Sequence, residues 1–191
     1  MEKQKYAAIV LAAGSGKRMN SQVHKQYLII QDRPVLYYSL KAFEDSAVDE
    51  IVLVVGKGEE EFCRKEIVDK YGISKVKAIV EGGKERYHSV FEGLKQTSDA
   101  DYVLIHDGAR PFVNQDIIRR CMQEVQKYQA CVVGMPVKDT IKIADEEGYA
   151  KQTPDRKNVW MIQTPQTFSY ALIYEAYEEM LKTEDTAITD D

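Results

Sequence analysis

Two glycines, a serine and two cations follow the first apolar run of this chain, in the order Gly14-Ser15-Gly16-Lys17-Arg18-Met19. Glycine lets a ligand approach the main chain closely. Backbone N–H groups in such a turn, ahead of a helix, hold phosphate oxygens. Lys17, Arg18 and, a few residues on, Lys25 supply countercharge for a polyphosphate. Met19 stands where a dinucleotide fingerprint needs its third glycine, and no Gly-Lys-Ser/Thr follows a longer spacer, so neither common phosphate loop is matched. Taken alone, the turn reads equally well as a βα connection that contains glycines.

A second cluster is His106-Asp107-Gly108-Ala109-Arg110-Pro111. Its aspartate suits a ribose hydroxyl or a divalent cation, and Arg110 suits a phosphate. An Asp–Arg loop brace would use the same residues. His106 by itself reads as a structural, hydrogen-bonding histidine, while His24 and His88 have no partner by spacing. In Glu81-Gly82-Gly83-Lys84-Glu85-Arg86 the bare backbone can lie against a flat base, with Ser89 one helical turn on to offer a hydroxyl. Arg156, in Thr153-Pro154-Asp155-Arg156, and the run Gln163-Thr164-Pro165-Gln166-Thr167-Phe168 fit either phosphate and hydroxyl contacts or turn chemistry. Thr189-Asp190-Asp191 reads as a solvated tail. No nucleophile–histidine–acid set is present. Cations, glycines and one aspartate suit nucleotidyl transfer, in which a substrate phosphate attacks and the protein aligns polyanions and neutralises charge.

The elements that must carry these residues alternate. Apolar, β-branched runs at 7–12, 50–55, 76–80, 102–105 and 130–135 predict strands, and segments 35–43, 60–71, 86–94 and 117–128 carry the three-and-four spacing of helices. Strands apolar on both faces and separated by helices predict an α/β, Rossmann-like, mostly parallel sheet covered on both faces. Ligands then bind beyond the carboxyl ends of the strands, where the two glycine turns and the His106-Asp107 cluster all fall. Past Met135 the rhythm changes. Residues 136–143 and 149–153 predict a long hairpin turning at 145–148, 159–163 a return to the sheet, and 169–182 an amphipathic helix. The protruding hairpin, an arm at about 136–160, is a candidate for oligomer formation.

The chain has 191 residues, 44% of them hydrophobic and 30% charged, which fits one domain, or one domain plus an appendage; with the motifs above, 1–191 reads as a single nucleotidyltransferase domain. A net charge of −5 argues against nucleic acid as a partner and for a small anionic ligand met by local cations. There is no apolar run of membrane-spanning length and no signal-like start. Cys63, Cys121 and Cys131 lack metal or redox spacing, so a soluble cytoplasmic protein with free thiols is expected.

The ordered set Ala12-Ala13-Gly14-Ser15-Gly16-Lys17-Arg18-Met19 with Lys25-Gln26-Tyr27, His106 to Pro111, Pro136-Val137-Lys138-Asp139-Thr140-Ile141-Lys142, Gln163-Thr164-Pro165-Gln166 and Thr189-Asp190-Asp191 resembles the 2-C-methyl-D-erythritol 4-phosphate cytidylyltransferases. The resemblance runs over essentially the whole chain. It implies transfer of CMP from CTP to methylerythritol phosphate with release of pyrophosphate, a step of non-mevalonate isoprenoid biosynthesis, with Mg²⁺ and a homodimer that exchanges its β-arms. It further implies that the Gly14–Gly16 loop including Ser15, with Arg18 and Lys25, grips the triphosphate. Ala12, Ala13, Gly83 and Ser89 would recognise the base, and Asp107 and Gly108 would hold the ribose side. Asp107 would lie near the metal or the acceptor. Thr140 and Arg156 of a neighbouring subunit, with Arg110 and Thr164, would bind methylerythritol phosphate.

Leu11 and His24 stand where many relatives have proline, and Lys84 where an acid is common; function is expected to survive all three. The family continues past the position of Asp191 into a segment whose lysine contacts phosphate. A truncated chain is therefore expected, its activity open, with a CTP-binding but inactive form as one alternative. Ribitol 5-phosphate cytidylyltransferase is the nearest rival reading. The 138–142 run, Ala109 and the Thr-Asp-Asp ending favour methylerythritol phosphate. A dinucleotide-dependent oxidoreductase is a poor third, because Met19 replaces the third glycine.

Overall fold

Apolar runs that alternate their side chains between two covered faces build the central sheet. The structure, a computed structural model, describes residues 3–14 and 24–183. The strands are β1 (Tyr6–Ala12), β4 (Glu50–Val55), β5 (Val76–Glu81), β6 (Tyr102–Asp107), β7 (Ala130–Pro136) and β10 (Trp160–Ser169), in the order β5-β4-β1-β6-β10-β7. The first four are parallel, and β10 runs antiparallel to both neighbours. The expected mostly parallel α/β sheet is what the chain forms.

Period-two alternation in β1 sends Ala8, Val10 and Ala12 to one face and Ala7 and Ile9 to the other. The first face packs on α1 (Val35–Glu44), α4 (Gln115–Tyr128) and the helical stretch after β4. The second packs on α3 (Arg86–Leu94) and α5 (Tyr170–Thr183). α3 lies very close to β1: a Cβ on Gly93 would sit 2.5 Å from Ile9 Cγ2. Asn114 caps α4 by accepting from the Ile117 N–H at 3.0 Å, which starts that helix two residues before the apolar spacing does.

Several elements differ from expectation. The helix at 60–71 is a short α-turn, α2 (Glu60–Cys63), running into a π-helical segment, Arg64–Asp69. A small hairpin, β2 (Ile29–Ile30) with β3 (Arg33–Pro34), turns through Gln31 and Asp32 at φ 48° and 71°. The arm pairs over only β8 (Ile143–Ala144) and β9 (Ala150–Gln152), every residue of which is exposed. The largest correction is β10, which continues through 163–168 and fills the gap between β6 and β7, so that polar run is buried strand. Among the described residues no helix is long and apolar enough to cross a membrane.

Candidate active site

Three connections leave the carboxyl edge of the sheet side by side and enclose a cleft of about 670 Å³. The connection after β1 contributes Ala12, Ala13 and Gly14, and that after β5 contributes Gly83. The one after β6 contributes Asp107, Ala109 and Arg110, and Lys25, Gln26, Arg86 and Ser89 complete the wall.

Close backbone approach explains the glycines. The Gly82 N–H donates to Val55 O at 2.8 Å, extending the line of β4. A Cβ on Gly82 would lie 2.5 Å from Ala13 Cβ, and one on Gly83 would lie 2.3 Å from His88 Cβ. The Gly83 N–H donates to Ser89 Oγ at 3.1 Å, and Ser89 donates in turn to Glu85 O at 3.2 Å, which closes the glycine loop onto the first turn of α3. The Gly108 N–H reaches Leu11 O at 2.8 Å, where a Cβ would crowd Leu36 Cδ1 at 2.8 Å.

Lys25 is exposed on a 3-10 turn, Lys25–Tyr27. Two neighbours fix that turn. Buried Gln26 donates to Ala12 O at 2.5 Å and to Gly14 O at 3.3 Å. Glu59 accepts from the Tyr27 hydroxyl at 2.7 Å and from the Gly56 N–H at 3.1 Å, and pairs with His24 Nδ1 at 3.0 Å. His24 thus has an acidic partner 35 residues away in sequence, which local spacing could not reveal.

Asp107 lies between two guanidinium groups. Arg86 Nε is 3.3 Å from its Oδ1, and Arg110 Nε is 2.8 Å from its Oδ2. Burial pushes this carboxyl up, but the facing Arg86 and Arg110 outweigh it and hold it below the ordinary carboxylate range. Asp107 is therefore ionised, and the cleft mixes one fixed anion with several cations. Arg110 also bonds Gln163, and the Asp107 N–H donates to Thr164 Oγ1 at 3.3 Å. His106 is completely buried and bonded to Thr164 and to the Arg110 carbonyl, the structural histidine that the sequence suggests.

Of the residues singled out from sequence, Ala12, Ala13, Gly14, Lys25, Gly83, Ser89, Asp107 and Arg110 share the cleft wall. Gly108 and Thr164 lie directly behind it, through their bonds to Leu11 and to Asp107. Thr140 and Arg156 do not join them. Both are exposed on the arm, where Arg156 donates to Lys138 O at 3.1 Å. Ser15, Gly16, Lys17, Arg18 and the 189–191 tail lie outside the described residues. Arg86, Gln26 and Gln163 are site residues that the sequence reading quoted within motifs but gave no role of their own. The position of Arg86 just past a glycine pair at a strand end was the available signal.

The family model for 2-C-methyl-D-erythritol 4-phosphate cytidylyltransferase (IspD) matches residues 6–191. The cytidylyltransferase of that name from Lachnoclostridium phytofermentans is 51% identical over 188 residues, covering 98% of this chain and 81% of the relative. The one from Lachnospira eligens is 56% identical over 174 residues, 91% of this chain and 76% of the relative. Among solved structures, the 4-diphosphocytidyl-2C-methyl-D-erythritol synthase of Anaerococcus prevotii superposes with a TM-score of 0.85 at 35% identity, over 98% of this chain and 79% of that one. Matches of this extent leave the dinucleotide oxidoreductase and the ribitol phosphate enzyme without support. Sequence motifs, sheet order and cleft thus agree on one assignment: the chain belongs to the 2-C-methyl-D-erythritol 4-phosphate cytidylyltransferase family of nucleotidyltransferases.

Proposed function

We propose that the cleft at the carboxyl edge of the sheet transfers the cytidylyl group of CTP to 2-C-methyl-D-erythritol 4-phosphate. The observation that carries this reading is the Asp107 carboxylate fixed between Arg86 and Arg110, opposite a wall of close-packed glycine backbone. The base lies against Gly83 and the Ala12-Ala13 backbone within reach of Ser89, and Asp107 and Gly108 hold the ribose side. The Gly14–Gly16 loop, Arg18 and Lys25 take the triphosphate. A phosphate oxygen of the acceptor attacks the α-phosphorus in line. The bond from that phosphorus to the α–β bridging oxygen breaks, and pyrophosphate leaves with the electron pair. Cations on the leaving side lower the barrier because they meet charge that grows in the transition state.

The residues present fit a divalent cation. Mg²⁺ is held by one or two carboxylates together with substrate phosphates and water. Asp107 is an ionised carboxylate on the cleft wall, of the hard oxygen type that Mg²⁺ takes. Mg²⁺ bound there would draw charge from the phosphates. Among the described residues no group of three or more His, Cys, Asp or Glu gathers to hold a metal, and the nucleotide phosphates and water would serve as further ligands.

The second half of the acceptor site comes from another copy of the chain. Thr140 and Arg156 are exposed on a hairpin whose two short strands are exposed along their whole length. Beside it Val132, Met135, Trp160, Met161 and Ile162 are 42–55% exposed along edge strand β7 and its neighbour β10. An exposed apolar strip on a sheet edge calls for a partner. A homodimer that swaps arms covers the strip and brings Arg156 to the partner's cleft. A cytoplasmic reaction is in keeping with phosphorylated substrates and with cysteines that form no disulfide.

Pyrophosphate release from CTP and Mg²⁺, with methylerythritol phosphate and ribitol phosphate offered in parallel, tests the reading. Release with methylerythritol phosphate alone is expected. Release with ribitol phosphate instead would overturn the acceptor assignment.

A further inference from the structure

Where the backbone ladder between β6 and β10 ends, a buried histidine takes over. Pairing runs from Tyr102–Ser169 to Ile105–Gln166 and goes no further. The next residue of β6 is His106, with no exposed surface. Its Nδ1 is 2.8 Å from Thr164 Oγ1, and its Nε2 is 3.1 Å from the Arg110 carbonyl oxygen. A carbonyl can only accept, so Nε2 carries a proton. A neutral ring then has a bare Nδ1, and the Thr164 hydroxyl must donate to it. That hydroxyl has one proton, which the ring takes. Toward other groups Oγ1 is an acceptor, as it is for the Asp107 N–H at 3.3 Å. The ring packs edge-on against Phe43, centroids 5.3 Å apart. From the other side the Ser39 hydroxyl bonds the Gly108 and Arg110 carbonyls at 3.0 and 3.2 Å and pins the same turn. Because the ring is sealed from the cleft, it cannot exchange a proton with substrate.

We propose that His106 is a positioning residue: fixed as the Nε2–H tautomer, it braces Arg110 and Thr164 against each other and so shapes the pocket for the sugar-phosphate acceptor. The acceptor part rests on the reading given above, whereas the tautomer does not. The ring has no exposed surface, and a charged ring would lose its hydration there, so the neutral form is favoured.

The first test needs no turnover. Ring-nitrogen NMR shifts of His106 in the full chain at neutral pH should report protonated Nε2 and bare Nδ1; the opposite tautomer or an imidazolium would overturn the proposal. The second test is kinetic. His106→Phe keeps the ring volume but neither bond, and should raise KM for methylerythritol phosphate about tenfold while KM for CTP stays unchanged. His106→Gln, whose amide nitrogen can reach the Arg110 carbonyl, should recover part of the loss. Thr164→Val should raise KM less in the His106→Phe background than in the wild-type chain, because the bond between the two is then already lost. A uniform fall in rate with both KM values unchanged would mean fewer folded molecules only, and would sink the proposal. Should His106→Phe not fold, the NMR result and the Gln variant decide. Should the wild-type chain release no pyrophosphate with methylerythritol phosphate, the acceptor reading fails, while the tautomer still stands or falls on its own measurement.

Discussion

Asp107 stays charged in a site that shields most of its side chain, because Arg86 and Arg110 approach it from two directions. Asp107→Asn removes that charge and leaves two guanidinium groups facing a neutral amide. We expect kcat/KM for pyrophosphate release to fall by about 10²–10³, the size typical of losing one charge-stabilising group, with the circular dichroism of the fold unchanged. His106 sets a different signal. Its ring titrates near 6.5 when unfolded and is pushed down to about 4 by burial in the folded chain. Between those values the unfolded chain binds a proton that the folded chain does not. Its contribution is therefore complete above pH 6.5 and declines as pH falls toward about 4, by about 3 kcal/mol in all. Urea midpoints measured from pH 7 downward should show this fall in metal-free buffer, and His106→Phe should flatten it. At this scale the motifs made Asp107, Arg110, Gly83 and Ser89 legible, since each follows a strand end. Gln26 was not, because its role is a bond to the carbonyls of Ala12 and Gly14, and a side-chain amide in a sequence names no partner.

Elements meet at the site through contacts with no spare room. The loop after β5 lies against the end of β1, where Ala13 Cβ sits 2.5 Å from the place a Cβ on Gly82 would occupy, and Ser89 Oγ is 2.7 Å away. Ala13 Cβ cannot swing aside, since it is tied directly to its backbone. Gly82→Ala should cost about 1–3 kcal/mol of stability by urea unfolding and raise KM for CTP, because the displaced loop carries the base wall. Strands β1, β4 and β6 were legible from their apolar runs, since each is buried on both faces, and edge strand β5, only partly buried, from its Val and Ile content. β10 was not. Gln163, Thr164, Gln166 and Thr167 look like a turn, and bonds such as His106–Thr164 and Gln163–Arg110 help make a polar strand tolerable next to the core. The π-helical stretch at Arg64–Asp69 has no signal in residue type or spacing that we can identify.

For the whole molecule, two chains are expected to share each acceptor site. Asp107→Asn and Arg156→Ala should each be inactive alone as dimers. Mixed in equal amounts after exchange of subunits, they should recover about a quarter of wild-type activity, because half the dimers then hold one intact site. No recovery despite mixed dimers would place Arg156 in its own chain's cleft. Trp160→Arg, at a position 55% exposed on the strip beside the arm, should give a monomer by sedimentation. The sequence by itself determined the fold class and the edge of the sheet where chemistry happens, because apolar periodicity dictates strands and helices and parallel sheets open their ligand sites at the carboxyl ends. It also determined the family, through five motifs kept in order. Only the tertiary structure decided which charged groups meet. Arg86 and Asp107 lie 21 residues apart and Arg110 and Gln163 lie 53 apart, so their pairing depends on strand order and on α3 packing against β1, distances that no local pattern encodes.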